Sequence, residues 1–342
     1  MKPVELTHQG EAHVLTAGAS FQSPAAAAFS DTSHENLRAL IRGMAAKTPW
    51  RELVNSLFEA KQPWLHQIIS SPKRSRFLGD LLPNDSGSAL DIGCGYGQMT
   101  LPLLTAGWDV VALDPSDSRL RFVEAVVQQE QLIDRAAFVC ADYLDTEFHT
   151  PFDLCLCIGV LEWVGAFQHE SDPLERQRHF LRKVRQELSA TGSLIIGIEN
   201  RIGLKYLLGC EDDHIGAPNI ACLPGALANR IWREKTGQPL SSYTYTQAEL
   251  EALLREAGFQ EIEFFAALPD YKLTEELIPL SDGGSEFNAG MLSGELFRPE
   301  HNGYDGSKLS PEFQDRLQGT YASFAMQGIA HHFAPSFFVK AK

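Results

Sequence analysis

Glycine occupies every second position of the segment Gly93–Gly97, directly after the short apolar run Ala89–Ile92. Glycine reaches backbone angles that other residues avoid, and it lets a ligand lie against the main chain. Gln98 stands where a dinucleotide-binding loop would place its third glycine. The carboxylate of Asp91, just before the loop, would repel a pyrophosphate and attract an ammonium group. The loop therefore favours an aminoacyl nucleoside over NAD as its ligand.

The stretch from Leu90 to Gly97 resembles the first motif of class I S-adenosylmethionine-dependent methyltransferases. The resemblance implies that S-adenosylmethionine is the cofactor and that the chain is a transferase with a Rossmann-like sheet. A glycine loop alone is a weak signal, and a tight turn in another α/β protein is the alternative. Specific motifs extend the resemblance over roughly residues 85–200.

Two more acids follow apolar runs that read as strands. Asp114 comes after Trp108–Leu113, about twenty residues beyond the loop, where an acid can accept both ribose hydroxyls of an adenosyl ligand. The alternative role for Asp114 is to cap the helix that begins at Ser116; the spacing favours the ribose role. Asp142 follows Ala136–Cys140, and the resemblance implies that it accepts from the adenine amino group.

Asp153–Ile158 reads as the fourth strand, whose carboxyl end faces the cofactor sulphur in a doubly wound sheet. With the resemblance, this predicts a set of cofactor-binding residues. They are Asp91, Gly93, Cys94, Gly95, Gly97, Asp114, Pro115, Asp142, Tyr143, Ile158 and Gly159.

The segment Ile198–His214 resembles a stretch of methyltransferases from bacterial surface-polysaccharide clusters, with an additional Asp before the histidine. It leaves the end of the fifth predicted strand, close to the point of methyl transfer. An alcohol acceptor must lose its proton, and a positioned base contributes roughly 10²–10⁴-fold. His214 and Glu162 are the candidate catalytic residues. The alternatives are a helix cap or surface histidine, and an acid at a helix N-terminus.

No metal site is predicted. The acids Glu211–Asp213 can bind a divalent ion, but acids at this spacing more often form a solvated loop. The adjacent histidines His331 and His332 point apart in most structures. They are instead candidate pocket residues, together with Pro269–Lys272 and Tyr304.

The composition restricts the partners. The 342 residues carry a formal charge of −15, and no long run of Lys or Arg interrupts it. Nucleic acid and anionic membrane are therefore poor partners, and a small-molecule acceptor is expected; an oligomer is compatible with the sequence. The six cysteines form no C-x-x-C pair, which predicts a reducing, cytoplasmic location. We expect neither a signal peptide nor a membrane-spanning helix.

Three regions are predicted along the chain. Residues 1–83 form an N-terminal extension, with few signals before residue 30 and then helices that begin with a Thr32/Glu35 capping box. These helices act as a packing cap or as a lid. Residues 84–267 form the cofactor-binding core. Residues 268–342 comprise an insertion over the acceptor pocket and the final strand.

The predicted fold class is α/β, a Rossmann-like doubly wound seven-stranded sheet in the order 3-2-1-4-5-7-6. The predicted function is methyl transfer from S-adenosylmethionine to oxygen or nitrogen of a glycan sugar or secondary metabolite in small-molecule biosynthesis. One alternative is a cyclase or lyase on the same fold that releases methylthioadenosine. The other is a non-catalytic cofactor-binding scaffold.

Overall fold

The structure is a computed structural model that describes residues 1–23, 32–82, 86–166, 172–298 and 309–342. Backbone contacts divide the chain into two units. The first unit comprises residues 1–157 and 186–194, and the second comprises residues 158–185 and 195–342. The three regions expected from the sequence remain a prediction.

The elements from the start of the chain to β8 occur in the following order. They are β1 (Val4–His8), β2 (Glu11–Leu15), β3 (Ser20–Gln22), α1 (His34–Ala45), α2 (Trp50–Phe58), α3 (Pro63–Ser70), α4 (Leu78–Leu81), β4 (Ser88–Ile92), α5 (Thr100–Thr105), β5 (Asp109–Leu113), α6 (Asp117–Gln129), β6 (Ala136–Cys140), β7 (Thr146–Phe148) and β8 (Phe152–Ile158).

The remaining elements follow in the same way. They are α7 (Pro173–Glu187), β9 (Leu188–Glu199), α8 (Leu204–Leu207), α9 (Gly225–Thr236), α10 (Gln247–Glu256), β10 (Ile262–Leu268), β11 (Glu276–Pro279), α11 (Ser285–Ser293), α12 (Pro311–Met326) and β12 (Ser336–Ala341). Helix α10 begins with a complete capping box: the Thr246 side chain accepts from the backbone N–H of Glu249, and the Glu249 side chain accepts from the backbone N–H of Thr246.

The sheet of the first unit is parallel. β4 pairs with β5 and β8, β5 pairs with β6, and β6 pairs with β3. Its central strands are buried along nearly their whole length, which explains their continuous Val, Ile, Leu and Ala runs. In the second unit, β10 pairs antiparallel with β12 and β11. The predicted α/β class with a large, mostly parallel sheet is confirmed.

The strand count differs from the prediction. Beyond the seven predicted strands, β3 pairs with β6 in the first unit and β11 pairs with β10 in the second. The additional strands are β3 and β11. Both are short, so the period-2 signal on which a strand prediction depends is weak in each.

The N-terminal segment, which gave few signals in the sequence, forms strands. β1 pairs with β2 and β7, and β3 joins the parallel sheet. The pairing of β1 with β2 is local, whereas β7 and β6 lie more than a hundred residues from their partners β1 and β3, which local sequence cannot show. Helix α1 is capped by Ser33, whose hydroxyl accepts from the Asn36 N–H, so the predicted Thr32/Glu35 capping box is wrong.

The N-terminal helices have a packing role. Their apolar faces bury Leu37, Val54 and Phe58 against Tyr96 of the glycine loop and Phe122 of α6. This cluster buries several large apolar side chains, each of which contributes about 1.5–3 kcal/mol. The cap is therefore part of the core of the first unit. A lid function stays a prediction.

The region between β10 and β12 contains β11, α11 and α12. Its predicted position over an acceptor pocket stays a prediction. No helix among the described residues is long and apolar enough to cross a membrane. All six cysteines are unpaired; the cytoplasmic location stays a prediction.

Candidate functional site

The glycine loop of the first unit follows β4 directly. Gly93, Gly95 and Gly97 all have left-handed backbone angles, with φ of 68°, 55° and 79°. Residues other than glycine rarely adopt such angles. A Cβ atom on Gly97 would lie 2.9 Å from Cγ1 of Val123, so α6 packs directly against the loop. A Cβ on Gly95 would meet no protein atom closer than 3.7 Å. The protein therefore leaves room beside the backbone of Gly95.

The carboxylate of Asp114 is held beside this loop. Its Oδ2 accepts from the N–H of Gly95 at 2.9 Å, and its Oδ1 accepts from the N–H of Ser116 at 2.8 Å. The residue is 3% exposed. Asp114 therefore orders the turn before α6, whose N-cap residue is Ser116, and its ribose role stays a prediction.

Asp91 has an internal partner that the sequence did not suggest. Its Oδ2 accepts from the Thr100 hydroxyl at 2.6 Å, and the residue is buried. Burial raises the pKa of Asp91 to about 6, although the bond from Thr100 acts in the opposite direction. The carboxyl group therefore lies in a low-polarity site, where a nearby cation would stabilise its charged form strongly.

The third acid caps a short turn. The Oδ1 atom of Asp142 accepts from the Leu144 N–H at 2.9 Å, while the hydroxyl of Tyr143 donates to Glu187 at 2.6 Å in the interior. Burial raises the pKa of Tyr143 well above its ordinary value. A role for Tyr143 at the cofactor would therefore use its backbone or ring rather than its hydroxyl.

Three ionisable side chains meet in the second unit, at the ends of two strands and in a loop. Glu162 follows β8, Glu199 ends β9, and His214 lies in the turn after α8. The Nε2 atom of His214 is 3.5 Å from Oε2 of Glu199 and 3.7 Å from Oε1 of Glu162. All three side chains are at most 3% exposed. We call this group the carboxylate–histidine trio.

The imidazole of the trio is held from its other side. Nδ1 of His214 lies 3.5 Å from Oδ1 of Asp212, and the Trp163 ring packs edge-on against it at a centroid distance of 4.9 Å. Burial alone would lower the pKa of His214, but the charge of Glu199 and the contacts with Asp212 and Glu162 raise it well above the ordinary value.

Two lysines surround the trio with a further ion-pair network. Nζ of Lys205 lies 3.1 Å from Oδ2 of Asp213, and Nζ of Lys272 lies 3.2 Å from the same oxygen. Lys272 also bonds to Oε1 of Glu199, and Asp270 lies 3.5 Å from Lys272. Although burial opposes it, the two ammonium groups lower the pKa of Asp213 below its ordinary value. For Glu199, burial outweighs Lys272 and raises the pKa.

Tyr271 packs over two glycines and contacts the trio. A Cβ on Gly159 would lie 2.8 Å from the Tyr271 hydroxyl oxygen, and one on Gly197 would lie 3.0 Å from the same ring. The hydroxyl donates to Oε1 of Glu162 at 3.4 Å. Gly159, predicted at the cofactor, therefore also makes space for Tyr271.

Comparison with known proteins gives the family of the central segment. Residues 90–196 match the family model described as a methyltransferase domain. This segment is a methyltransferase domain. The match begins inside β4 and includes the glycine loop, Asp114 and Asp142, as the resemblance implied.

Two curated relatives and one solved structure illustrate the range of similarity. A ubiquinone biosynthesis O-methyltransferase from Rickettsia akari is 26% identical over 120 residues, which are 35% of this chain and 43% of the relative. A tRNA U34 carboxymethyltransferase from Vibrio cholerae is 28% identical over 172 residues, 48% of this chain and 49% of the relative. The cyclopropane synthase MmaA2 from Mycobacterium tuberculosis is 20% identical with a TM-score of 0.44, covering 79% of this chain and 83% of that structure. The chain thus spans less than half the length of these curated relatives.

The residues of the methyltransferase domain fit S-adenosylmethionine, the cofactor of its family. At Gly95 the nearest protein atom to an added Cβ, Oε1 of Gln98, is at an ordinary contact distance of 3.7 Å. Asp91 and Asp114 place carboxylates on adjacent parallel strands at the same end of the sheet, matching the ammonium and hydroxyl groups of the cofactor. All the individual assignments stay predictions: Asp91, Gly93, Cys94, Gly95, Gly97, Asp114, Pro115, Asp142, Tyr143, Ile158 and Gly159.

The structure brings the predicted catalytic pair together with some of the candidate pocket residues but not with all of them. His214 and Glu162 are neighbours in the trio, and Asp270–Lys272 border it. The ring of His331 instead contacts Asn288, and its centroid lies 3.9 Å from that of His332 at an interplanar angle of 40°, so the two rings do not point apart as expected. Tyr304 lies outside the described residues.

Two members of the cluster were missed from the sequence: Glu199 and Lys205. The position of Glu199 was a usable signal, because Glu199 is the last residue of a buried strand and Asp114 directly follows one. Lys205 gave none, because a lysine in a short helix usually faces solvent. In the structure its side chain is 1% exposed.

Proposed function

We propose that this chain transfers the methyl group of S-adenosylmethionine to an oxygen or nitrogen atom of a small acceptor, such as a glycan sugar or a secondary metabolite. The methyltransferase domain supports the donor half of the proposal. The observation that supports the acceptor half is the buried carboxylate–histidine trio, in which His214 lies within 3.7 Å of both glutamates. Such a group can manage the proton that an O–H or N–H acceptor must lose.

The cofactor supplies an electrophilic methyl group on a sulphonium. The chain must then hold the acceptor atom in line with that methyl and take up its proton. Glu162 and His214 are our candidates for contact with the acceptor. Asp212 and Trp163 fix the orientation of His214 from the side opposite Glu199. Tyr271 and Lys272 hold the two glutamates.

The charge of the chain favours a small acceptor over a nucleic acid. A tRNA substrate, as in the name of one relative, requires basic side chains that contact phosphates. This chain carries 44 acidic residues against 29 lysines and arginines. We therefore do not expect tRNA to be a substrate of this chain. Adding tRNA to the assay tests this directly.

The first measurement separates methyl transfer from the cyclase alternative. The purified chain is incubated with S-adenosylmethionine alone, and the products are identified by mass spectrometry. Methylthioadenosine formed in proportion to enzyme and time would support the cyclase and contradict our proposal. Retained or bound S-adenosylhomocysteine would support methyl transfer.

The second measurement identifies the acceptor class. Sugar nucleotides, phenols, amines and bulk tRNA are each added with S-adenosylmethionine, and S-adenosylhomocysteine is quantified. We expect turnover with at least one small acceptor, and its loss in Glu162→Gln with cofactor binding retained. Glu211→Gln, an exposed neighbour of the loop, is the matched control and keeps full turnover. Turnover with tRNA alone would contradict the small-acceptor proposal.

A further inference from the structure

The carboxylate–histidine trio contains unsatisfied acceptor atoms. Over the described residues, Oε2 of Glu162 and Oε2 of Glu199 are buried and have no hydrogen-bond partner. A buried carboxylate oxygen without a donor is costly. Lys272 and Tyr271 contact the opposite oxygen, Oε1, of Glu199 and Glu162 respectively. The two unsatisfied oxygens therefore indicate a ligand with positive charge.

The charges around the trio point the same way. Glu162, Glu199, Asp212, Asp213 and Asp270 are five buried carboxyl groups within the described part of this unit, while Lys205 and Lys272 are the two ammonium groups paired with them. The carboxyl groups of this cluster outnumber its ammonium groups by three, so a cation bound among them would be stabilised.

The spacing of the donor atoms suits a metal ion. One ligand atom from each of Glu162, Glu199 and His214 lies within 4.8 Å of the others, and the distances from Nε2 of His214 are 3.5 and 3.7 Å. Metal–ligand bonds of about 2.0–2.1 Å in a tetrahedral arrangement separate neighbouring donor atoms by roughly 3.4 Å. The distances from Nε2 of His214 to Oε2 of Glu199 and to Oε1 of Glu162 exceed that separation by at most about 0.3 Å.

The histidine is also held as a metal ligand is held. A ligating imidazole usually presents one nitrogen to the metal and the other to a carboxylate that fixes the ring. Nε2 of His214 faces the two glutamates, and Nδ1 faces Oδ1 of Asp212 at 3.5 Å. Backbone N–H groups of His214 and Ile215 donate to that same Asp212 oxygen at 2.7 and 2.9 Å, which holds the carboxylate in place.

We propose that Glu162, Glu199 and His214 bind one divalent transition-metal ion. Three protein ligands leave at least one position open, which is the arrangement of a catalytic rather than a structural site. This inference deepens the proposed function and rests on it for the metal's role: an acceptor oxygen bound at the open position would lose its proton to water more readily, and Glu162 and His214 would then act on that proton through the metal that they hold. It replaces the sequence-based expectation of no metal.

The test uses Mn²⁺ as the probe, because free aqueous Mn²⁺ has an electron paramagnetic resonance signal that diminishes on binding. The purified chain is treated with a chelator, dialysed and titrated with Mn²⁺. We expect one equivalent to bind, Zn²⁺ to displace it, and the metal to raise the thermal unfolding temperature. We expect Glu199→Gln and His214→Asn to weaken binding by more than about 100-fold, since even residues that only orient a ligand cost 10–100-fold. Glu211→Gln is the control and binds as the wild type does.

A second variant keeps the test decisive if the ligand variants fail to fold. Lys272→Met removes a positive charge beside Glu199, so it should bind Mn²⁺ more tightly than the wild type. A folded wild type that binds neither Mn²⁺ nor Zn²⁺ at millimolar concentration would overturn the proposal, as would binding unchanged in His214→Asn. Methyl transfer without any bound metal would overturn the metal site and leave the proposed function standing. Mn²⁺ bound by the trio without methyl transfer to any acceptor would support the metal site and contradict the proposed function.

Discussion

Nε2 of His214 lies 3.5 Å from Oε2 of Glu199, two atoms that come from positions fifteen residues apart in the chain and are both buried. The strand β9 ends at Glu199, and the turn that carries His214 returns to the end of that strand. This pair connects Lys272 on one side with Glu162 and Asp212 on the other. Several predictions about activity and stability depend on it or on its surroundings.

Loss of the Glu199 carboxylate should slow turnover without releasing the cofactor. We expect Glu199→Gln to reduce the rate of methyl transfer by roughly 10²–10⁴-fold, because the trio manages the acceptor's proton. Affinity for S-adenosylmethionine, measured by calorimetry, should stay within about twofold of the wild type. A variant with wild-type turnover would show that the trio is structural.

The ribose assignment of Asp114 is tested by direct binding. Asp114→Ala should weaken S-adenosylhomocysteine binding by about 10- to 100-fold, since hydrogen bonds to a charged group contribute roughly 1.5–3 kcal/mol. Asp117→Ala is the matched control: it lies three residues away and pairs with Arg121 at the surface. Equal affinities for the two variants in calorimetry would remove Asp114 from the cofactor site.

The carboxyl group of Asp91 should make stability depend on pH. Its pKa in the folded chain is about 6, above the value of 3.8 for an exposed group, so its ionisation opposes folding. Its contribution is most favourable below about pH 4 and is lost as the pH rises from 4 to 6. Asp91→Asn keeps an acceptor for Thr100 and removes the charge, and should raise the free energy of unfolding at pH 7 by about 1–3 kcal/mol.

Urea unfolding of wild type and Asp91→Asn at pH 4, 5 and 7 checks this. The difference between the two proteins should grow with pH and level off above pH 6. The same variant should bind S-adenosylmethionine less tightly, because an amide does not attract the cofactor's ammonium group as a carboxylate does. A constant difference in stability across this range would show that Asp91 titrates normally.

Gly159 is expected to be intolerant of a side chain for two reasons. Its φ is +72°, and an added Cβ would lie 2.8 Å from the hydroxyl oxygen of Tyr271. Gly159→Ala should lower the free energy of unfolding by about 1–3 kcal/mol and reduce turnover by displacing the partner of Glu162. Gly216→Ala, with φ +62° and open space around the added carbon, isolates the backbone cost. If both variants retain equal turnover, contact with Tyr271 is not required for activity.

The buried lysine of α8 should be essential for stability. Lys205→Met leaves Asp213 and Asp270 with one fewer cation in the interior, and breaking a buried ion pair costs about 3–5 kcal/mol. Arg121→Met, which breaks an exposed pair with Asp117, should change stability by less than about 1 kcal/mol. Urea unfolding of both variants gives the comparison. A Lys205→Met protein as stable as the wild type would show that the network compensates.

Much of the methyltransferase domain could be predicted from the sequence alone. The apolar runs of β4, β5 and β6, the glycines at 93, 95 and 97, and the acids that follow these strands are local patterns. Parallel strands buried on both faces require such runs, and left-handed loop positions require glycine. The sequence therefore determined the fold class and the cofactor family.

Only the tertiary structure decided what surrounds that domain. β1 and β2 pair locally, but β1 also pairs with β7 and β3 with β6, each more than a hundred residues away, so no local pattern predicts those two pairings. His214 and Glu162 could be singled out individually, but their distance could not, nor could the burial of Glu199 and Lys205 beside them. Charge in a protein interior is stable only when partners from distant segments meet it. The tertiary fold determines which distant segments meet, and residue types and spacing do not predict this.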